Sequence, residues 1–308
     1  MIVSAFLTLT GETTLNQIVD AARSLEAAGV TAVGTLDATA TDVGAAPFES
    51  TTLAGRLAVT TSTIGVVASN SALYGFPYHS ARRLATIDHL SGGRSGWLMR
   101  TRTAPSEVTA YDWRSLAGRG EELHRAVEYA EISLELWDCW EEGAQRPDKA
   151  TGDFKDDSRI HPINYRSTSF RVAGPFDVPP SPQRRSVLFV EIATAEEAVL
   201  LAPYADVAIV VADSASAVAP IADLISATSS STLVLVAGAL GGVSAAMPAS
   251  EALEVPGVAG VALYLDPTEV GEARDLLAGR GLEELASPTT LAAALGIEST
   301  FTHGGHAA

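Results

Sequence analysis

The sequence predicts an α/β protein and, within that class, a (β/α)8 TIM barrel. Strand-like and helix-like segments alternate from end to end, the pattern of a parallel sheet covered by helices. Eight strand candidates can be counted, seven of them followed by a helical run and the last by Pro267 onward. The chain has 308 residues, 47% of them hydrophobic, enough for one large barrel. In such a barrel an active site lies at the C-terminal ends of the strands.

Val3 to Leu9 is the first strand. Thr13 and Thr14 then precede a helical run through Leu15, Ile18, Val19, Ala22, Leu25 and Ala28, which Gly29 ends. Ala32 to Asp37 and Thr63 to Ser69 are the second and third strands. After Pro77, the residues Ala81, Leu84, Ala85, Ile87, Asp88 and Leu90 keep helical spacing until Gly92-Gly93, where positive φ costs little. Asp88 and Arg94 are placed to tie this turn, and Ser95 to Thr101 is the fourth strand. Residues 121 to 142 form the longest helix, with Leu123, Ala126, Val127, Ala130, Leu134 and Trp137 on one side.

From Gly143 to Arg185 the alternation breaks, leaving prolines, mixed charges and one strand-like piece, Ser169 to Val172. An insertion of this length before strand five is either a lid or packing against a second subunit. Val187 to Ile192, Val207 to Ala212, Leu233 to Ala237 and Val258 to Leu265 complete the barrel. One barrel over residues 1–300 is expected, with 301–308 as a disordered tail.

Composition removes several function classes. A formal charge of −17 argues against nucleic acid and anionic membranes as partners. No apolar run reaches the ~18 residues that span a bilayer, and no basic segment precedes an apolar stretch at the start, so a cytoplasmic protein is expected. The single cysteine, Cys139, lies in an apolar helical run and reads as a packed thiol. The pair His303 and His306 does not complete a zinc shell, and no metal is expected. No dinucleotide fingerprint, phosphate loop or nucleophile elbow is present. The glycine-rich Ala237 to Gly242 follows strand seven, where barrels often cradle phosphate, although a plain βα turn explains it as well. His79 and His161 are the histidines expected nearest a barrel mouth and are the candidates for proton transfer.

The stretch Phe76-Pro-Tyr-His-Ser-Ala-Arg-Arg-Leu-Ala-Thr-Ile-Asp-His-Leu-Ser-Gly-Gly-Arg-Ser-Gly-Trp97 resembles the bacterial luciferase-like, flavin-dependent monooxygenases. It is most similar to the branch that oxidises nitrilotriacetate, dibenzothiophene sulfone and the dehydroproline ring of a streptogramin precursor. Asp153-Phe154, Arg159 to Tyr165, Phe170 to Pro175 and Ser181 to Gln183 extend the resemblance over most of the first two thirds. It implies a luciferase-like barrel in which reduced FMN, supplied by a separate flavin reductase, and O2 oxidise a small-molecule substrate. It further implies a homodimer, for which Leu134 to Trp140 offers apolar surface. The cofactor contacts it implies are Asp37, Ser69, Thr101, Arg119, Ala193 and Thr194.

The chain also departs from that branch. Leu98 stands where relatives have Asn, Arg119 and Leu123 where they have His and Tyr, and Glu191-Ile192 where they have Ala-Gly. The last change is expected to crowd a phosphate and, through the carboxylate, to repel it. Three readings therefore stay open: an FMN-dependent monooxygenase; a barrel with a degenerate flavin site, acting as a partner subunit or a flavin-independent catalyst; and an oxidoreductase using the deazaflavin F420.

Overall fold

A computed structural model describes residues 1–36, 47–102, 105–111, 118–241, 246–282 and 289–297. Eight strands form the parallel barrel, β1 (Ile2–Leu7), β2 (Ala32–Thr35), β3 (Gly65–Ser71), β4 (Ser95–Arg100), β5 (Val187–Ile192), β6 (Val207–Val210), β7 (Leu233–Ala239) and β8 (Gly260–Leu265), and the two-residue strand Met247–Pro248 adds to the same sheet beside β7. Each of the eight pairs with its neighbours in sequence, β7 with both β6 and β8, and β8 returns to β1, which closes the barrel. The (β/α)8 expectation is met, and no strand candidate is displaced at either end by more than two residues. The third begins at Gly65 because the N–H groups of Ser62, Thr63 and Ile64 donate to Glu26 Oε1 at 2.7, 2.6 and 3.1 Å and are lost to the ladder.

Strand side chains are apolar on both faces, as a barrel covered by helices requires. Phe6, Val67, Leu98, Phe189, Leu235 and Tyr264 fill the lumen, while Val3, Ala68, Trp97, Val190, Ile192 and Leu263 pack outward. The helices α1 (Leu15–Ala27), α2 (Ser50–Ala58), α3 (Pro77–Ser91), α4 (Arg119–Trp137), α5 (Ala195–Leu201), α6 (Ala215–Thr228) and α7 (Val270–Leu277) surround the sheet, and α1, α2, α3 and α5 start on a side-chain cap or a proline. Thr14 and Gln17 form a reciprocal capping box on α1, and Pro77 starts α3 at a position where its lack of an N–H leaves no donor unsatisfied.

The 88–97 turn lies at the N-terminal end of the barrel. Gly92, at φ +70°, ends α3 in the left-handed conformation. Asp88 Oδ1 accepts from Ser95 N (3.2 Å) and Oγ (2.8 Å), and Oδ2 accepts from Gln183 N (3.1 Å). Buried Arg94 donates to the carbonyls of Ala58, Thr61, Ile64 and Ser91 and to Thr61 Oγ1, at 2.5 to 3.1 Å. The short helix Leu291–Ala294 plugs this end: a Cβ on Gly65 would stand 2.5 Å from Leu291 Cδ1, and one on Gly96 3.1 Å from Cδ2. The recognisable motif is thus a structural knot, remote from the strand C-termini.

The Gly143–Arg185 insertion packs on helices. Phe170 stacks edge-on against Tyr129 of α4 (5.9 Å) and lies 4.1 Å beneath the Arg125 guanidinium; Phe176 meets Tyr78 of α3 (5.7 Å), and its carbonyl accepts from Trp140 Nε1 (2.8 Å). Leu136, Trp137, Cys139 and Trp140 are buried within the chain, so the apolar surface expected to serve a dimer is consumed internally. Burial pushes the Cys139 thiol up to about 11, which suits a packing group. Among the described residues no helix is long and apolar enough to cross a membrane.

Candidate active site

The C-terminal mouth brings together the end of β4, the start of α4 and the turn after β5. Thr101 and Arg102 follow β4, Arg119 opens α4, and Ala193 and Thr194 leave β5 for α5. They converge on a residue that no motif singled out, Glu197, whose side chain is 1% exposed. Arg119 Nη2 and Nε donate to Glu197 Oε1 at 2.6 and 3.0 Å, Arg102 Nη2 donates to the same oxygen, and Ala193 N–H donates to Oε2 at 2.7 Å. Arg119 is held in turn by the carbonyl and hydroxyl of Thr101 and by Glu122 Oε2 (3.0 Å). Thr194 Oγ accepts from Glu197 N (3.2 Å) as the N-cap of α5. Burial alone would raise the Glu197 pKa, but the Ala193 N–H and the two guanidinium groups outweigh it and hold the carboxyl below its ordinary value.

Below this rim the lumen is aromatic and closed. Tyr264 stacks on Phe6 (5.5 Å), which meets Phe189 edge-on (6.2 Å). Tyr264 reaches across from β8 to donate to Glu191 Oε1 on β5 at 2.5 Å. Burial, and then the Glu191 charge, hold this phenol well above its ordinary range, so it remains a neutral donor.

Of the residues expected from sequence, Thr101, Arg119, Ala193 and Thr194 come together, and Glu197 holds them. Ser69 is fully buried on β3, and its N–H donates to Ser50 Oγ (2.8 Å). Asp37 lies outside the described residues. His79 is on the exposed side of the first turn of α3, edge-on to Phe76 and Tyr78 (6.4 Å each). His161 is misplaced by the sequence reading. It follows the bridge Trp140–Ile160 beyond the far end of α4, at the N-terminal side of the barrel, and pairs with Glu141 at 2.7 Å. Ile192 is corrected too: period-two alternation turns it outward under the helices, so only Glu191 enters the lumen. Glu197 had one signal, the Thr194-Ala-Glu-Glu197 capping pattern, which announces a helix start and says nothing of two distant arginines.

Of the glycines at the end of β7 and just beyond it, the two described, Gly238 and Gly241, both lie against protein atoms. A Cβ on Gly238 would meet Ala252 Cβ at 2.9 Å, a packing constraint. The adjoining cleft of about 490 Å³ presents Glu272 and Asp275, carboxylates that would repel an anion.

A family model described as luciferase-like monooxygenase matches residues 2–232. The chain belongs to this family. N-acetyl-S-(2-succino)cysteine monooxygenase of Bacillus subtilis is 37% identical over 160 residues, 52% of this chain and 36% of that enzyme. Dibenzothiophene-sulfone monooxygenase of Rhodococcus erythropolis is 35% identical over 145 residues, 47% and 32% of the two chains. The matched stretches thus span about a third of these longer enzymes. One subunit of the pristinamycin IIA synthase of Streptomyces pristinaespiralis is 35% identical over 198 residues, 63% of this chain and 65% of that one. In fold, the chain superposes on DmoA from Hyphomicrobium sulfonivorans with a TM-score of 0.83 at 18% identity, covering 96% and 92% of the two chains.

This luciferase-like chain comes from a family that uses reduced flavin, so the mouth can be tested against that cofactor. A phosphorylated flavin needs donors for its phosphate, and here both guanidinium groups and the Ala193 N–H already serve a buried carboxylate. A second carboxylate, Glu191, sits within the upper lumen. The described residues at this rim do not fit a phosphate group as they stand.

Proposed function

We propose that this chain takes part in two-component monooxygenation, in which flavin reduced by a separate reductase and O2 oxidise a small organic substrate. The observation that supports this most is the family match over residues 2–232, joined by 35–37% identity to enzymes named as monooxygenases. The mismatch at the rim argues for flavin as a loosely held, diffusing co-substrate rather than a resident group. Anaerobic titration with photoreduced FMN and riboflavin tests this. Reduced flavin should bind at least as well as oxidised flavin, and oxidised FMN should show a dissociation constant of ~10 μM or weaker, about −7 kcal/mol. Absence of binding by either reduced flavin would reject a flavin site on this barrel.

A second reading makes the chain one half of a two-barrel monooxygenase whose other barrel holds the flavin. It is favoured by the similarity to a protein named as a synthase subunit, matched over 65% of its length, together with the Glu197 and Glu191 carboxylates at the mouth. F420 is a third cofactor candidate; the F420-dependent structures among the fold neighbours, at 14% identity and TM-scores of 0.60 and 0.57, share the barrel. Pairing with a second copy belongs to the proposal as well, without the Leu134 to Trp140 surface. A single-chain mass in sedimentation at ~10 μM, the concentration scale of the flavin titration, would exclude it.

A further inference from the structure

We propose that Glu197 is a built-in anion occupying a cradle that would otherwise hold an oxyanion, so that this barrel mouth rejects a phosphate at that spot and admits there only a ligand without one. The cradle is made of parts far apart in sequence: Arg102 after β4, Arg119 at the head of α4, and the Ala193 N–H after β5. These are the donors that suit a phosphate monoester, two forked guanidinium groups and a backbone N–H directed at one point. Glu197 meets them with both carboxylate oxygens, and its side chain is 1% exposed whereas Arg102 is 52% exposed. The cradle therefore opens to solvent on its cationic side, where a diffusing anion would approach, and is filled from within.

Displacing the carboxylate is costly in two ways. An incoming phosphate would meet like charge a few ångströms away, and a displaced Glu197 would leave the site where its charge is compensated. The part of this inference that concerns flavin rests on the family reading above, whereas the anion cradle does not.

The test compares riboflavin, FMN and inorganic phosphate as ligands for the full chain, by fluorescence quenching for the flavins and calorimetry for phosphate. The wild type should bind riboflavin and FMN within about twofold of each other and give no phosphate signal. In Glu197→Ala, FMN should gain at least tenfold in affinity while riboflavin stays unchanged, and phosphate should bind and compete with FMN. The double variant Arg119→Ala/Glu197→Ala should lose that gain. Wild-type protein that prefers FMN to riboflavin by tenfold or more overturns the proposal, as does a folded Glu197→Ala with no gain for FMN or phosphate. If neither flavin binds any form, the flavin reading fails and the phosphate arm alone decides the cradle. If Glu197→Ala does not fold, Glu197→Gln, which keeps the shape and removes the charge, takes its place. Should that fail too, the wild-type comparison and its phosphate titration still decide.

Discussion

Arg94 and Arg119 sit at opposite ends of one barrel and differ in what they hold. Arg94 donates to four carbonyls and one hydroxyl, all neutral and all belonging to the turns between α2, β3, α3 and β4. Arg119 donates to the carboxylates of Glu197 and Glu122 besides the Thr101 oxygens. A guanidinium bonded to backbone oxygens fixes chain geometry, and nothing from solution can replace the backbone. A guanidinium bonded to a carboxylate is in a charge balance that pH, salt or a competing anion can alter. The end with the recognisable sequence motif is accordingly rigid and chemically silent, and the end without one carries the exchangeable chemistry.

The largest effect should therefore come from the silent end. Arg94→Ala strands several buried carbonyls at once and should cost about 3–5 kcal/mol of stability, the sum of two or more buried acceptors left unsatisfied at about 1–3 kcal/mol each. Urea unfolding measures it. A loss under ~1 kcal/mol, the value of one ordinary hydrogen bond, would show that the knot around Asp88 and Arg94 is redundant.

The same contrast explains what could be read in advance. The strands and helices were legible because apolar periodicity, Gly92-Gly93 and Pro77 act within a few residues of one another. Arg94 and Asp88 were legible as ties of a local turn for the same reason. The Glu197 cluster was not, because its members lie up to 95 residues apart and meet only when the barrel closes. His161 failed for a topological reason: α4 runs back down the barrel, so whatever follows it begins at the wrong end. Ile192 failed for a simpler one, since alternation along a strand places only one of two adjacent residues in the lumen.

An intermediate effect is expected at the mouth. Arg119→Ala should cost about 1.5–3 kcal/mol, the range for hydrogen bonds to a charged group, because Glu197 keeps Arg102 and the Ala193 N–H. This loss should depend on pH. The folded pKa of Glu197 is lowered, so the stability it contributes is fully present above the unfolded value of about 4.3 and disappears as pH falls through the lower folded value. Between pH 5 and 3 the urea midpoint of the wild type should fall more steeply than that of Glu197→Gln. Parallel curves would mean that the carboxylate is not held by its cations. Arg94→Ala should show a smaller excess slope, because its hydrogen-bond partners do not titrate and the Glu26 charge acts on it only at a distance.

The smallest effect separates two roles for Thr194. The family resemblance makes its hydroxyl a phosphate contact, while the structure has it accepting from Glu197 N at 3.2 Å as the cap of a seven-residue helix. If capping is its role, Thr194→Ala should cost ~1 kcal/mol of stability, Thr194→Ser should restore most of it, and the ratio of FMN to riboflavin affinity should not change. A helix this short has few other bonds to hold its first turn, so even that modest loss should appear in the unfolding midpoint. If Thr194→Ala instead leaves stability intact and weakens FMN alone by tenfold, about 1.4 kcal/mol, the hydroxyl meets phosphate. The mouth would then admit the anion that Glu197 is argued to exclude, and the difference between the two ends of the barrel would lie in their geometry alone.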